Sequence, residues 1–212
     1  MSSVSDVSSR TVELGLASHA RPGEKESGDG HLVKSVAGDG MLVAVADGLG
    51  HGTEAASATR VALDALDRHA GKAVLTLIQQ CHTALMGTRG VVLTLAYLDW
   101  TDGTMTWIGV GNVEAALIYG ATADSAPAPR ANLVTRGGIV GSELPSLRAE
   151  VLSFDRGDTL ILATDGIRSG FADGLPPGLS CQAIADHIMA THDKGTDDAL
   201  VLVLRSGSGE SS

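Results

Sequence analysis

Two stretches of this 212-residue sequence end alike: residues 41–52 (MLVAVADGLGHG) and 159–166 (TLILATDG) each carry a run suited to a buried strand that stops at an Asp-Gly pair. A carboxylate at the end of a buried strand is held at the rim of a core. The glycine after it is expected to let the backbone turn sharply, leaving a carbonyl free to act as a ligand. Asp197 and Asp198 stand just before a third apolar run, 199–205 (ALVLVLR), and Asp29 in ESGDG precedes the strand-like 31–37. Four carboxylates converging on one edge of a core would repel one another strongly unless cations neutralised them. Carboxylates, one backbone carbonyl and water form an oxygen-only shell, which suits Mg²⁺ or Mn²⁺ and not zinc. Two such ions about 3.5–4 Å apart, sharing Asp47, would activate a bridging water and neutralise a phosphate, the chemistry of metal-assisted phosphate-ester hydrolysis.

Position rather than dipeptide identity selects these residues. Asp-Gly occurs six times, at Asp29, Asp39, Asp47, Asp102, Asp165 and Asp173, and turns favour the pair. Asp39 and Asp102 lie between strand-like runs and read as hairpin turns, and Asp173 in FADGLPPG reads as a loop residue. Asp47 and Asp165 follow buried runs with no returning strand after them. Asp47 opens the glycine-rich GLGHG, which leads into a helix. His51 in that loop offers either a general acid for a leaving oxygen or a structural hydrogen bond at the helix start. Asn112, flanked by glycine, reads as a turn.

The elements that must position these groups follow from periodicity. Residues 11–20 alternate as a half-buried strand, and 31–37 with 41–46 form a hairpin about Gly38-Asp39-Gly40. An Ala-rich helix is expected over 53–69, with Thr53 as N-cap and Ala58, Val61, Ala62, Ala65 and Leu66 on its buried face. A second helix over 73–86 carries Val74, Leu77, Ile78, Cys81 and Leu85 on one stripe. Strands are expected at 90–98, 104–110, 114–119 and 132–135, with 121–130 a surface loop. Residues 149–154 and 158–163 read as a further hairpin, 180–191 as a helix capped by Ser180, and 199–205 as a buried strand. Grouped strands with inserted helices mean an α+β fold, a two-sheet antiparallel β-sandwich flanked by α-helices. The Ser-rich ends, 1–9 and 206–212, read as flexible tails around a single domain over 10–205.

Composition excludes other classes. A net charge of -10, four lysines and eleven scattered arginines argue against nucleic acid as partner, as does an aromatic content of 3%. No window is apolar for long enough to cross a membrane, and the N-terminus lacks the pattern of a secretory signal. Cys81 and Cys181 are too few for a disulfide framework and read as buried thiols of a cytoplasmic monomer.

SGDG (27–30), VADGLGHG (45–52), ATDG (163–166) and TDDALVLVL (196–204) stand in the order of the PPM family. The chain thus resembles the metal-dependent Ser/Thr protein phosphatases, in their SpoIIE-like branch. GVGNVEAAL (109–117) and GGIVG (137–141) are similar to segments of its small stand-alone stressosome phosphatases. The resemblance covers roughly residues 11–205. It implies a binuclear Mn²⁺ or Mg²⁺ site in which Asp47 bridges both ions, the Gly48 carbonyl binds one, Asp165 and Asp197 hold the first, and Asp29 serves the second. Asp198 matches a supportive position. It also implies a phosphorylated protein substrate, a STAS-domain or switch protein. The phosphate-gripping arginine of larger members has no clear match, although Arg21 or Lys25 could reach the site. Two rival functions stay open: a catalytically silent PPM-like binding module, and a GHKL-type ATP-binding kinase suggested by Asp47-Gly48-Leu49-Gly50. The second needs an upstream helical asparagine, whereas the only asparagines are Asn112 and Asn132.

Overall fold

The computed structural model describes residues 11–37, 39–120 and 130–207. Among the described residues ten strands form two five-stranded antiparallel sheets. One has the order β1 (Val12–His19), β10 (Ala199–Ser206), β9 (Thr159–Ala163), β6 (Glu114–Ile118), β7 (Arg130–Leu133). The other runs β2 (Asp29–Val36), β3 (Gly40–Gly48), β4 (Val91–Asp99), β5 (Thr104–Val110), β8 (Glu150–Ser153). Helices α1 (Thr53–His69) and α2 (Val74–Leu85) cover the outer face of the β2–β8 sheet, and α3 (Cys181–His192) covers that of the β1–β7 sheet. The expected α+β sandwich is the observed architecture.

Strand pleating sorts side chains between layers. Along β3, Leu42, Ala44 and Ala46 pack under α1 and α2, while Val43 and Val45 enter the core between the sheets. Along β10, Leu200, Leu202 and Leu204 face that inner core, and Ala199, Val201 and Val203 face α3. The buried stripe of α2 is the expected set, Val74, Leu77, Ile78, Cys81 and Leu85. On α1, Ala58, Ala62, Ala65 and Leu66 are buried as expected, with Val61 at the margin. Cys81 and Cys181 are buried free thiols in separate apolar clusters. Among the described residues no helix is long and apolar enough to cross a membrane.

Three local expectations are corrected. Residues 150–153 and 159–163 do not form a hairpin: β8 pairs with β5, whereas β9 lies between β10 and β6 in the other sheet. The connection crosses the sandwich, with Phe154 fully buried in the inner core and Asp158 accepting from the Gly120 and Asp155 N–H groups. The two strands differ in burial, β8 being largely exposed and β9 fully buried. Thr53 is the first helical residue rather than the cap; Gly52 holds the cap position without a side-chain bond. Ser180 does cap α3, its hydroxyl accepting from Ala183 N. The third correction concerns the glycines after the strand-end aspartates. Neither Gly48 nor Gly166 is among the positive-φ residues. A Cβ on Gly48 would lie 2.2 Å from the Ala55 carbonyl oxygen, and one on Gly166 would lie 2.0 Å from that of Asp198. These glycines are needed for close backbone approach and not for a left-handed φ; Gly166 does lie in a turn, closed by the Ile167 N–H on the Thr164 carbonyl at 3.0 Å. The loop and tail expectations at 121–129, 1–9 and 208–212 fall outside the described residues, and Ser206 is the last residue of β10.

Candidate active site

Four strand ends meet at one end of the sandwich. Asp29 opens β2 and Asp47 is the last residue but one of β3, and the two are direct partners across that ladder, so their side chains share a face. That face is the inner one, because Asp47 continues the alternation of Val43 and Val45. Thr164 and Asp165 follow β9, and Asp197 and Asp198 precede β10, the neighbouring antiparallel strand. Antiparallel pairing therefore brings the end of one strand and the start of the other to the same rim. Asp29, Asp47, Asp165, Asp197 and Asp198 all line one cavity of about 260 Å³, together with Arg21, Leu49, Gly50, His51, Val92 and Asn112.

Each carboxylate is satisfied differently. Both oxygens of the buried Asp198 accept backbone N–H groups, from Arg21 at 2.7 Å and Gly28 at 2.8 Å, which pins the 20–28 loop to β10. Asp165 accepts from Asn112 Nδ2 at 2.9 Å, and its carbonyl accepts from Lys194 Nζ. Asp197 accepts from Asp198 N at 2.9 Å. Among the described residues Asp29 accepts only from the Thr164 hydroxyl, at 2.7 Å, a bond that ties one sheet to the other. Thr164 is itself fixed by Leu200, whose N–H donates to its hydroxyl at 2.9 Å. Among the described residues no hydrogen bond reaches the Asp47 carboxylate.

The electrostatics follow. Burial pushes Asp29 up to about 7, against the pull of its Thr164 bond, with the charges of Asp198, Asp165 and Asp197 adding to the rise. Asp47 is pushed up to about 8, first by burial and then by the charges of Asp29, Asp165, Asp197 and Asp198. Burial and mutual repulsion act together here, and a nearby cation opposes both. Among the described residues these side chains are not drawn into a closed ligand cage. The donor chemistry nevertheless fits a hard divalent cation: acceptor oxygens only, several anionic, and one carboxylate with no protein donor.

The expected residues Asp29, Asp47, Asp165, Asp197 and His51 are thus brought together. Gly48 is not among the cavity-lining residues; it is buried, its N–H bonded to the Gly28 carbonyl at 3.0 Å. Arg21 lines the cavity and Lys25 does not. Sequence reasoning missed Thr164, Glu24 and Lys194, and read Asn112 as a turn that could lie near the site, a structural role being favoured. The position of Thr164 could have been found from β9 parity, which puts it on the inner face after Leu160 and Leu162. Asn112 has no such signal, since its partner Asp165 is 53 residues away.

Residues 37–207 match the family described as Stage II sporulation protein E (SpoIIE). The chain belongs to the SpoIIE family. It is a PPM-type phosphatase domain, the branch its ordered motifs implied. Over 179 residues it is 24% identical to the phosphoserine phosphatase RsbX of Bacillus subtilis (strain 168), covering 84% of this chain and 86% of that protein. The structure of RsbX in complex with magnesium superposes with a TM-score of 0.80 at 20% identity, over 92% of this chain and 94% of that one. A structure from the bacterial stressosome, described as a modular system adapted to control secondary messenger signalling, superposes with a TM-score of 0.81 at 30% identity. It is matched over 92% of this chain and 100% of the other. Within the SpoIIE-family fold, the strand-end carboxylates occupy the rim between the two sheets, where the inner core opens to solvent.

Proposed function

We propose that this chain hydrolyses phosphoserine or phosphothreonine on a signalling protein, using two Mn²⁺ or Mg²⁺ ions. The observation that carries the reading is the convergence of five aspartates on one cavity, with Asp47 and Asp29 raised by burial and by their neighbours' charge. Asp47, Asp29, Asp165 and Asp197 would hold the cations, with the Gly48 carbonyl as a further ligand. Bound there, they supply charge neutralisation for the phosphate and an activated water. The chain's own residues do the rest. Asn112 orients the Asp165 carboxylate, and Thr164 holds Asp29 in place. Arg21 brings a guanidinium to the cavity, where a fork of N–H donors suits phosphate oxygens. Its backbone is fixed by Asp198, which therefore acts as an anchor for the phosphate-facing loop.

The substrate in this reading is a phosphorylated STAS-domain component of a stressosome or partner-switching module. Support comes from the likeness to RsbX, named a phosphoserine phosphatase, and to a structure from the bacterial stressosome. The reading has the chain acting in the cytoplasm as a monomer, in keeping with two buried free thiols. An ATP-binding kinase is disfavoured, since Asn112 lies between β5 and β6 and Asn132 on β7, neither on a helix.

The test is hydrolysis of a phosphoserine STAS-domain protein and of p-nitrophenyl phosphate with Mn²⁺, with and without chelator, in wild type and Asp47→Asn. Metal-dependent turnover lost in the variant is expected. Metal-independent turnover or an unimpaired variant sinks the mechanism, and a wild-type chain that binds the phosphoprotein without turnover establishes the silent binding module instead.

A further inference from the structure

Two arginines stand just outside the cavity wall, and the chemistry within it does not use them. Arg89, in the turn between α2 and β4, lies with its guanidinium against Gly50, where a Cβ would come 2.5 Å from Nη1. Gly50 lines the cavity and has φ 94°. The turn is fastened in place: Leu49 N–H bonds to the Gly90 carbonyl at 3.1 Å, and Gly90 N–H to Thr88 Oγ1 at 3.1 Å. Arg136 comes to the same wall from the segment after β7. Its N–H bonds to the Gly109 carbonyl at 3.0 Å, and its carbonyl accepts from Gly111 N at 2.7 Å. Gly111 packs so closely on Val92 that a Cβ would lie 2.2 Å from Val92 Cγ1, and Val92 and Asn112 both line the cavity. The two segments also meet, since Val91 and Val140 exchange backbone hydrogen bonds at 3.0 and 2.9 Å.

Folding stability accounts for neither guanidinium. Arg89 pairs with Glu54 in the first turn of α1, but the two side chains are 51% and 71% exposed, and so open a pair stabilises little. A cation at a helix N-terminus is also opposed by the helix dipole. Arg136 is exposed, and among the described residues its guanidinium has no partner. In a chain with a net charge of -10, two exposed guanidinium groups beside an aspartate-lined cavity are a local reversal of sign.

We infer that Arg89 and Arg136 form a docking rim that selects phosphoproteins carrying acidic side chains beside the phosphoserine. The inference rests on the phosphatase reading and adds to it a substrate preference. Neither arginine lines the cavity, where that reading gives the phosphate to Arg21 and the cations. What the rim meets is the polypeptide on either side of the phosphorylated residue. An acidic segment is repelled by the chain's overall charge, so cations at the rim are what let it approach. A guanidinium fork takes a carboxylate through two parallel N–H bonds, with a geometry that an ammonium group lacks. Exposed charges at a rim act on recognition, so their effect falls on KM and not on the chemical step.

The test compares phosphoserine peptides of one sequence, flanked on both sides by glutamate, alanine or lysine, as substrates of the Mn²⁺-loaded full chain. Wild type should show a KM about tenfold lower for the glutamate peptide than for the alanine peptide, the scale of two exposed charge pairs. Arg89→Gln and Arg136→Gln should each shrink that ratio about threefold with kcat held, and the double variant should abolish it. In 1 M salt, where the screening length is about 3 Å, the wild-type preference should vanish. Charge reversal guards against a merely damaged fold: the chain carrying Arg89→Glu and Arg136→Glu should prefer the lysine peptide, a gain that misfolding does not produce. A wild type indifferent to the flanks, a preference that survives the double substitution, or a reversed chain without the lysine preference overturns the rim and leaves the phosphatase reading intact. A lower Tm in Arg89→Gln with the peptide ratio unmoved makes the Glu54 pair structural and overturns the rim equally. A wild-type chain that turns over none of the peptides overturns the phosphatase reading and the rim with it.

Discussion

Both ends of the sandwich carry aspartates at strand ends, and they use their carboxylates in opposite ways. At the end away from the cavity, Asp39 turns β2 into β3 with φ 59°, and Asp99 accepts from the N–H groups of Thr101 and Asp102. Asp158 is 4% exposed there, yet each of its oxygens has a backbone donor, Gly120 at 2.6 Å and Asp155 at 2.8 Å. These charges are compensated by local N–H groups, as turn carboxylates usually are. At the cavity end, among the described residues, Asp198 has a backbone donor on each oxygen and Asp197 has one. Asp29 has one hydroxyl donor, and the Asp47 carboxylate has none among the described residues. Burial alone therefore does not mark a functional aspartate. The mark is burial among like charges without donors, which folding by itself would not favour.

The sharpest way to break this comparison is to neutralise one carboxylate at each end. Asp47→Asn should lower Mn²⁺-dependent turnover by at least about a hundredfold, the scale for losing a charge that acts directly on the reacting group. It should also abolish the metal-induced rise in Tm, which in wild type is worth about 2.7 kcal/mol at a hundred times Kd. In the absence of metal the same variant should melt higher than wild type, because an uncompensated buried charge has been removed. Calorimetry with and without chelator reads both effects. A metal response that survives Asp47→Asn would erase the distinction between the two ends.

Gly166→Ala comes next, because its Cβ would lie 2.0 Å from the Asp198 carbonyl oxygen and 2.9 Å from the Ala199 Cβ. Overpacking at this contact should cost about 1–3 kcal/mol. It should also weaken Mn²⁺ affinity, since it spreads Asp165 from Asp197 and Asp198; titration calorimetry and urea melts check the two parts. Asp158→Asn, at the far end, should cost about 1–3 kcal/mol because one buried N–H loses its acceptor. Its Mn²⁺ response and turnover should match wild type. A loss of metal affinity in this variant would show that the two ends are coupled.

How far these residues could be read in advance follows the same physics. Asp47 and Asp165 were legible because a buried strand that stops without a returning strand is a local pattern, and α2 because its stripe repeats at helical spacing. The β8–β9 crossing was not, because Asp155-Arg156-Gly157 reads like a tight turn whichever sheet the chain enters next. The partners of the aspartates were hidden for a different reason. Thr164 meets Asp29 across 135 residues, and Glu24 meets His51 across two loops, so neither spacing carries a signal. The close backbone approach at Gly48 and Gly166 was hidden, since a sequence cannot distinguish missing bulk from left-handed φ.

The smallest expected effect lies just behind the cavity, where His19 Nε2 meets Asp193 Oδ2 at 3.0 Å and joins β1 to the segment after α3. The His19 pKa is raised, first by the hydrogen bond to the Ala20 carbonyl and then, against the opposing pull of burial, by Asp193. A histidine whose folded pKa exceeds its unfolded value binds a proton more tightly in the native state. Its contribution is therefore fully present below the unfolded value of 6.5 and is lost as pH rises through the folded one. The pair is about one-third exposed, so screening limits it to a few tenths of a kcal/mol. Asp193→Asn should thus lower the Tm of the metal-free chain slightly more at pH 5.5 than at pH 8.5. A larger deficit at the higher pH would mean that Asp193 acts through its bond to Gly195 N, and that His19 adds nothing to the support of this rim.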